Sequence, residues 1–294
     1  MFVSAITEAA AFTRPLHFIS RSYGTTAIVP GAGTLFFVNS DGWAFTCRHV
    51  AEQLLVADQL RINFDAFKAE RACLTPGKRN SQELRLLEKK YSYAKGRTIE
   101  LYSLFVDCVE GSLNLDIRIH PEVDVALLRF QNHTRLLCDK FPVFAADASE
   151  LQPGKYLCRL GYPFPEFENF EYDAVADRIA WTTIGRQATP RFPIEGMVTR
   201  HLLNAQGAIV GIELSTAGLR GQSGGPAFGT DGRIWGMQAA TAHLDLEFDI
   251  DVEVRRGAEK KRVRESAFLH VGHCIHVDVL KQFMRQHGVT FSES

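Results

Sequence analysis

The chain carries a serine, a histidine and an aspartate whose surroundings suit nucleophilic catalysis by a hydroxyl group. Ser223 lies in the hexapeptide Gly-Gln-Ser-Gly-Gly-Pro, residues 221–226, where the glycines allow a sharp turn that exposes the hydroxyl. Because glycine has no Cβ atom, backbone N–H groups can approach the atom that the hydroxyl attacks. Gly221 and Ser223 are therefore the candidate donors of an oxyanion hole. An activated serine also needs a base and an orienting carboxylate.

His49 and Asp124 are the candidate base and orienting carboxylate. His49 ends the stretch Phe-Thr-Cys-Arg-His, and Asp124 opens the strand-like stretch Asp-Val-Ala-Leu-Leu-Arg-Phe. In this assignment Ser223 is the nucleophile, and His49 takes its proton and returns it to the leaving group. Asp124 holds the imidazole in the required tautomer. Asp116 is an alternative carboxylate, but it lacks the Val-Ala-Leu-Leu strand that follows Asp124.

The hexapeptide around Ser223 also satisfies the Gly-x-Ser-x-Gly pattern of the α/β-hydrolase elbow. In that fold an aspartate and then a histidine follow the serine, and this chain offers Asp245, Asp249, Asp251, His270, His273 and His276. Such an elbow runs from a strand straight into a helix, and Gly-Gly-Pro directly after Ser223 opposes a helix there. The flanking segments also have short strand patterns rather than alternating strands and helices. The sequence therefore favours the order histidine, aspartate, serine.

A series of segments resembles the chymotrypsin-fold (trypsin-like) serine peptidases, and the pattern is closest to the bacterial high-temperature-requirement type without a PDZ domain. Besides the three triad segments, the resembling blocks are Gly33 to Val38, Asp41 to Trp43, Gly161 to Pro163, Gly196 to Val198, Asp231 to Met237 and Val271 to Met284. The resemblance implies an all-β fold of two six-stranded antiparallel β-barrels, with a short C-terminal helix. It places the catalytic site in the cleft between the barrels.

The resemblance also predicts the division of the chain. Residues 1–135 would form an N-terminal barrel carrying His49 and Asp124, and residues 136–294 a C-terminal barrel carrying Ser223. Strand-like runs punctuated by Gly, Asn and Pro along most of the chain agree with two such barrels. Together the barrels would make one peptidase unit.

A polar insert at about residues 64–98 departs from the family pattern. It contains the turn-like stretch Pro-Gly-Lys-Arg-Asn at 76–80, and residues 81–90 begin like an N-capped helix. The insert is therefore predicted to be partly helical. Residues 131–150 are the predicted linker that crosses between the barrels.

The resemblance also indicates where substrate specificity is set. It places the pocket for the residue before the scissile bond at Ala217 and at the stretch Gln238, Ala239, Ala240 and Thr241. This set contains no carboxylate to pair with Arg or Lys, so we expect a preference for small to medium aliphatic residues. Gln222 stands where peptidases activated by N-terminal trimming carry an aspartate. A neutral amide cannot pair with a buried α-amino group, so that activation is not expected here.

Composition excludes several classes of function. The net charge of −1 over 294 residues gives no basic footprint, so no nucleic-acid partner is expected. The sequence has no run of eighteen apolar residues, so no membrane-spanning segment is expected. The six cysteines include no Cys-x-x-Cys pair, so neither a metal site nor a cofactor is predicted. They could pair, but reduced thiols in a cytoplasmic protein are favoured.

Residues 244–266 form a strongly charged segment. Five carboxylates alternate with apolar residues over 244–254, and a basic stretch follows a predicted turn at Gly257. We expect a hairpin with cross-strand ion pairs, with calcium binding or an exosite as alternatives. The histidines of 270–276 suggest a metal site, but relatives have a plain strand there, and a structural role is favoured.

These observations predict a serine endopeptidase that hydrolyses protein or peptide substrates through an acyl-enzyme. Loop ordering or a regulatory protein partner could control its activity. The alternative from another class is a binding or scaffold module that keeps the fold but has a collapsed or unused active site.

Overall fold

The computed structural model describes residues 1–74, 80–257 and 259–294. A six-stranded antiparallel sheet forms the first half of the chain, in the order β4-β1-β2-β3-β7-β6. Its strands are β1 (Thr13–Ser22), β2 (Ile28–Phe37), β3 (Trp43–Thr46), β4 (Thr98–Phe105), β6 (Asn114–Ile119) and β7 (Ala126–Gln131). Two short strands, β5 (Val109–Glu110) and β8 (Arg135–Leu136), pair separately beside it.

The second half of the chain forms an eight-stranded sheet. Its strands are β9 (Val143–Phe144), β10 (Tyr156–Gly161), β13 (Phe192–Leu203), β14 (Ile209–Leu214), β15 (Pro226–Phe228), β16 (Ile234–Arg256), β17 (Glu259–His276) and β18 (Ser292–Glu293). Strand β15 pairs with both β10 and β16, so β15, β10, β13, β14, β17 and β16 close into a ring. The loop after β10 contains a separate hairpin of β11 (Phe170–Asp173) and β12 (Arg178–Trp181). The predicted all-β, trypsin-like fold is therefore confirmed.

Four helices flank the sheets: α1 (Val3–Phe12), α2 (Arg48–Ala72), α3 (Asn80–Lys90) and α4 (Val277–Gln286). Helix α2 begins directly after β3 and runs into the insert, so the insert is helical in its first part as well as over α3. No Gly or Pro interrupts α2, and it buries Phe64 and Phe67. The predicted turn at 76–80 falls largely outside the described residues. Within the described parts of the chain, every helix is too short or too polar to cross a membrane.

Phenylalanines fill much of the core between the two sheets. Phe36, Phe37 and Phe45 of the first sheet are fully buried, and they belong to the same apolar cluster as Phe144 and Phe228 of the second sheet. Phe45 contacts Phe144 with the ring centroids 6.5 Å apart. The two halves are thus packed against each other, so side chains from both can be held at fixed positions in one site.

Candidate active site

His49 and Asp124 form a closely bonded pair. His49 is the second residue of α2, and Asp124 lies just before β7. The His49 Nδ1 atom lies 2.8 Å from Asp124 Oδ2, and the His49 backbone N–H donates to Oδ1 at 3.0 Å. The backbone contact holds the carboxylate in place, and the contact to Nδ1 orients the ring so that its other nitrogen points away from Asp124. The alternative carboxylate, Asp116, instead pairs with Arg118 at 2.9 Å.

The Asp124 carboxylate is stabilised in its ionised form. Partial burial raises its pKa, but the hydrogen bonds and charge of His49 more than offset this effect, so the net pKa lies below the ordinary value. Asp124 therefore carries its charge at neutral pH. A charged carboxylate at this position stabilises an imidazolium when His49 accepts a proton.

Ser223 lies in the turn between β14 and β15. It lines the same cleft as His49, a space of about 420 Å³ that Gly221 also lines. The Ser223 hydroxyl donates to the Ala239 carbonyl at 3.3 Å. Among the described residues, no hydrogen bond joins it to His49. The serine and the base thus share one cleft. A rotation of the serine side chain would break only the long hydrogen bond to the Ala239 carbonyl. A strand rather than a helix follows Ser223, so the α/β-hydrolase interpretation is wrong.

The backbone of the Ser223 turn presents free N–H groups. Gly221 has a φ of +98°, which favours glycine. Neither the Gly221 nor the Ser223 amide donates a hydrogen bond to any residue that the structure describes. The Thr34 hydroxyl donates to the Gly221 carbonyl at 2.7 Å, and the Thr34 amide donates to the Ser223 carbonyl at 3.1 Å. These bonds turn both carbonyls away from the cleft, so the two amides are available to an oxyanion.

The buried side chain of Gln222 stabilises this turn by hydrogen bonds. The side-chain oxygen accepts from the Leu219 amide at 3.0 Å, and the side-chain nitrogen donates to the Phe192 carbonyl at 3.0 Å. Both ends of a neutral amide are thus satisfied without a charged partner. Sequence reasoning identified Gln222 as uncharged but did not find these two partners.

A second cleft, of about 360 Å³, also has Ser223 in its lining. Its lining includes Gln238, Ala239, Ala240 and Thr241, which the sequence predicted, together with Gly218, Leu219, Arg220 and His243. Ala217 is not part of the lining, and its carbonyl accepts a hydrogen bond from Arg159 at 3.2 Å. The structure therefore places four of the five predicted pocket residues beside Ser223.

Arg159 is a residue of this region that sequence reasoning missed. Its side chain is fully buried on β10. The guanidinium donates to the Gln238 side-chain oxygen at 2.6 Å and to the Thr216 carbonyl at 3.0 Å. No carboxylate among the described residues forms a salt bridge with it, and burial lowers its pKa. A charge this buried needs its hydrogen bonds, and it lies directly behind the wall of the second cleft.

Among the residues that the structure describes, one group has the spacing of metal ligands: Cys47, His49 and Asp124, whose donor atoms lie within 4.8 Å of one another. Burial and the Asp124 charge raise the pKa of the Cys47 thiol well above its ordinary value. The thiol therefore stays protonated, and His49 and Asp124 are already bonded to each other. This donor set suits a metal ion poorly.

The histidines of residues 270–276 have separate partners. His270 Nδ1 lies 2.5 Å from His243 Nδ1, and His276 accepts from the Asp278 amide at the start of α4. His273 lies 3.5 Å from Glu213. Since each ring faces a different neighbour, these histidines do not form one ligand set, and their roles in the structure are local.

Comparison with known proteins gives the family. The sequence profile of the trypsin-like peptidase domain matches residues 33–237. No curated protein matches the sequence significantly. Similar solved structures include the HtrA-type protease AlgW with a tripeptide (TM-score 0.49, 13% identity, 97% of this chain and 62% of that chain). Another is the Rv3671c protease from M. tuberculosis in its active form (TM-score 0.47, 13% identity, 99% and 87%).

The present chain thus spans 62% of the length of the AlgW chain. The profile match includes all three segments that carry His49, Asp124 and Ser223, and it extends over most of the sequence. The chain belongs to the trypsin-like peptidase family.

Proposed function

We propose that this chain is a serine endopeptidase that cleaves peptide bonds with His49, Asp124 and Ser223. One observation carries the proposal: an imidazole held by Asp124 at 2.8 Å lines the same cleft as the Ser223 hydroxyl. The free amides of Gly221 and Ser223 beside that hydroxyl support it, because a collapsed oxyanion hole would have a carbonyl against one of them.

The reaction begins when the Ser223 hydroxyl leaves the Ala239 carbonyl and attacks the carbonyl carbon of the substrate. His49 takes the hydroxyl proton, and Asp124 stabilises the imidazolium. The oxyanion accepts hydrogen bonds from the Gly221 and Ser223 amides. When the tetrahedral intermediate collapses, the C–N bond breaks and the leaving amine takes the proton from His49. Water then attacks the acyl-enzyme in the same way and releases the acid.

We assign the two clefts beside Ser223 to the two sides of the scissile bond. The cleft lined by Gln238 to Thr241 would bind the residue before the scissile bond, and the cleft beside His49 would bind the residues after it. Because the family acts on peptide bonds, the proposed substrates are proteins or peptides. A cytoplasmic location and control by a partner protein stay predictions.

Cleavage of a peptide library by the purified protein tests the proposal. We expect cleavage by the wild type, and a loss of about 10⁴ to 10⁶ in turnover for Ser223→Ala and His49→Ala. Asp124→Asn should lose somewhat less. Ser112→Ala, which changes an exposed serine on another loop, is the matched control and should cleave normally. Binding of peptides without any cleavage would instead support a binding module.

A further inference from the structure

Strands β16 and β17 continue beyond the body of the second sheet as a two-stranded ribbon. The ribbon comprises residues 249–257 and 259–266, paired from Asp249 with Ser266 to Arg256 with Glu259. Among the described residues, every side-chain hydrogen bond and ion pair of the ribbon stays within it. A two-stranded hairpin with no further packing is only marginally stable in water. The ribbon therefore has a surface that lacks a packing partner in one copy of the chain.

One face of the ribbon is charged and needs no partner. Its acidic side chains lie on β16, and three of its basic side chains lie opposite on β17. They form three ion pairs, Asp249 with Arg264, Asp251 with Arg262 and Glu253 with Lys260. Since each carboxylate has its own cation, this face offers no free carboxylate to a cation such as calcium.

The opposite face, which we call the apolar face, has the following described side chains: Ile250, Val252, Val254, Val263, Lys261 and Glu265. Ile250, Val252 and Val254 are 48%, 45% and 39% exposed. Val263 pairs with Val252 across the ribbon. Lys261 and Glu265 are exposed and form no ion pair with any described residue. A row of exposed apolar side chains, with two charges that pair with no described side chain, is typical of an interaction surface.

The charges on the apolar face are arranged for pairing with an identical face. Lys261 and Glu265 each lie two residues from Val263, on opposite sides of it. A two-fold axis that lies between two stacked ribbons, perpendicular to their strands, superimposes Val263 on its own copy. The same rotation places Lys261 of each copy over Glu265 of the other, and Ile250 over Val254. Two sheets stacked face to face lie about 10 Å apart, which both charged side chains can span.

We propose that the apolar face pairs with the same face of a second copy, so that the chain forms a two-fold symmetric dimer through its ribbons. A two-fold axis parallel to the strands is disfavoured, because it would stack Lys261 on Val254 and leave the charge without a partner. The contact is isologous, as two-fold interfaces require. The proposal does not depend on the proposed peptidase activity.

Sedimentation equilibrium of the full chain tests the proposal. We expect a mass of twice 32.9 kDa at micromolar concentrations. The affinity should be moderate, because the named face has fewer residues than the roughly 20 to 30 per side of a standard interface. Lys261→Glu places like charges at both contacts and should produce a monomer, as should Glu265→Lys. An equimolar mixture of the two variants should recover a dimer, because each copy then meets the opposite charges on its partner.

The equimolar mixture of the two variants is the decisive measurement. Recovery of the heterodimer supports the two-fold register, because in that register the wild type and the mixture both place opposite charges together while each single variant places like charges together. A wild type that stays monomeric throughout this range would overturn the proposal, as would single variants that dimerise like the wild type. Thermal unfolding of each variant provides the folding control, since all substitutions lie at exposed positions of the ribbon.

Discussion

The Thr34 hydroxyl donates a hydrogen bond to the Gly221 carbonyl at 2.7 Å and so connects the first sheet to the proposed oxyanion hole. The same hydroxyl accepts from the Tyr162 amide at 3.2 Å, and the Thr34 carbonyl accepts from the Thr46 hydroxyl at 2.8 Å. All these groups are buried. Thr34 thus fixes the direction of the Gly221 peptide without reaching the substrate itself, which makes it a positioning residue.

We predict that Thr34→Val lowers kcat by about tenfold or more with little change in KM, because the Gly221 carbonyl loses the bond that turns it from the cleft. Thr34→Ser keeps the hydroxyl and is the matched control, which should stay within a few-fold of the wild type. Steady-state kinetics on one peptide substrate measure both. Equal kinetics for Thr34→Val and Thr34→Ser would show that this bond does not shape the oxyanion hole.

Gln222 leads to a prediction about activation. Since its neutral side chain already bonds Leu219 and Phe192, the turn needs no ion pair with a new N-terminus. We expect the protein with an acetylated N-terminus to react with a serine-directed reagent as fast as the protein with a free N-terminus, both keeping α1 and β1. Activity only in the form with the free N-terminus, increased further by Gln222→Asp, would contradict this.

The segments of the proposed triad and the fold class could be predicted from the sequence because their signals are local. A serine among glycines and an aspartate before an apolar strand are readable within a few residues. The contacts that shape the site are not local, since Gln222 and Phe192 are thirty residues apart in the sequence. The buried position of Arg159 depends on Gln238 and Thr216, which lie in other segments.

Strand β1 shows a second limit of sequence reasoning. Pro15, His17 and Arg21 interrupt its apolar pattern, so the sequence gives no clear strand signal there. In the structure Arg21 is buried because it pairs with Glu100 of β4 at 2.5 Å and with Asp177 at 2.9 Å. Only the folded chain provides these partners, so a charged residue in a buried strand could not be expected from the pattern.

Arg159 refines the prediction for substrate specificity. A buried guanidinium behind the wall of the second cleft repels a cationic side chain, so Arg or Lys before the scissile bond should be disfavoured more strongly than a missing carboxylate alone implies. Matched peptides with Val, Gln or Arg at that position measure this effect. We expect the lowest kcat/KM for Arg, and a preference for Arg would refute the assignment of this cleft.

His17 predicts how stability depends on pH. Burial lowers its pKa from 6.5 to about 4, while the ring stacks on Phe167 at 3.9 Å and bonds Thr189 at 2.7 Å. Between these two pKa values the unfolded chain binds the extra proton, so the free energy of unfolding falls as the pH decreases from about 6.5 to about 4. The contribution of His17 to this fall is about 3 kcal/mol at most.

His17→Gln isolates the contribution of that histidine, because it removes the titrating ring and keeps a polar group near Thr189. Urea unfolding of both proteins at several pH values gives the comparison. The difference in unfolding free energy between wild type and variant should change by up to about 3 kcal/mol over this window. Parallel pH profiles of the two proteins would contradict the prediction.

The most direct measurement of the central claim is the mass of the protein after reaction with a fluorophosphonate. The proposed triad predicts one covalent adduct, located on the peptide that contains Ser223, and almost none in Ser223→Ala or His49→Ala. The control variant Ser112→Ala should be labelled like the wild type. A folded wild type that remains unlabelled, or an adduct that persists in Ser223→Ala, would contradict the assignment of Ser223 as the nucleophile.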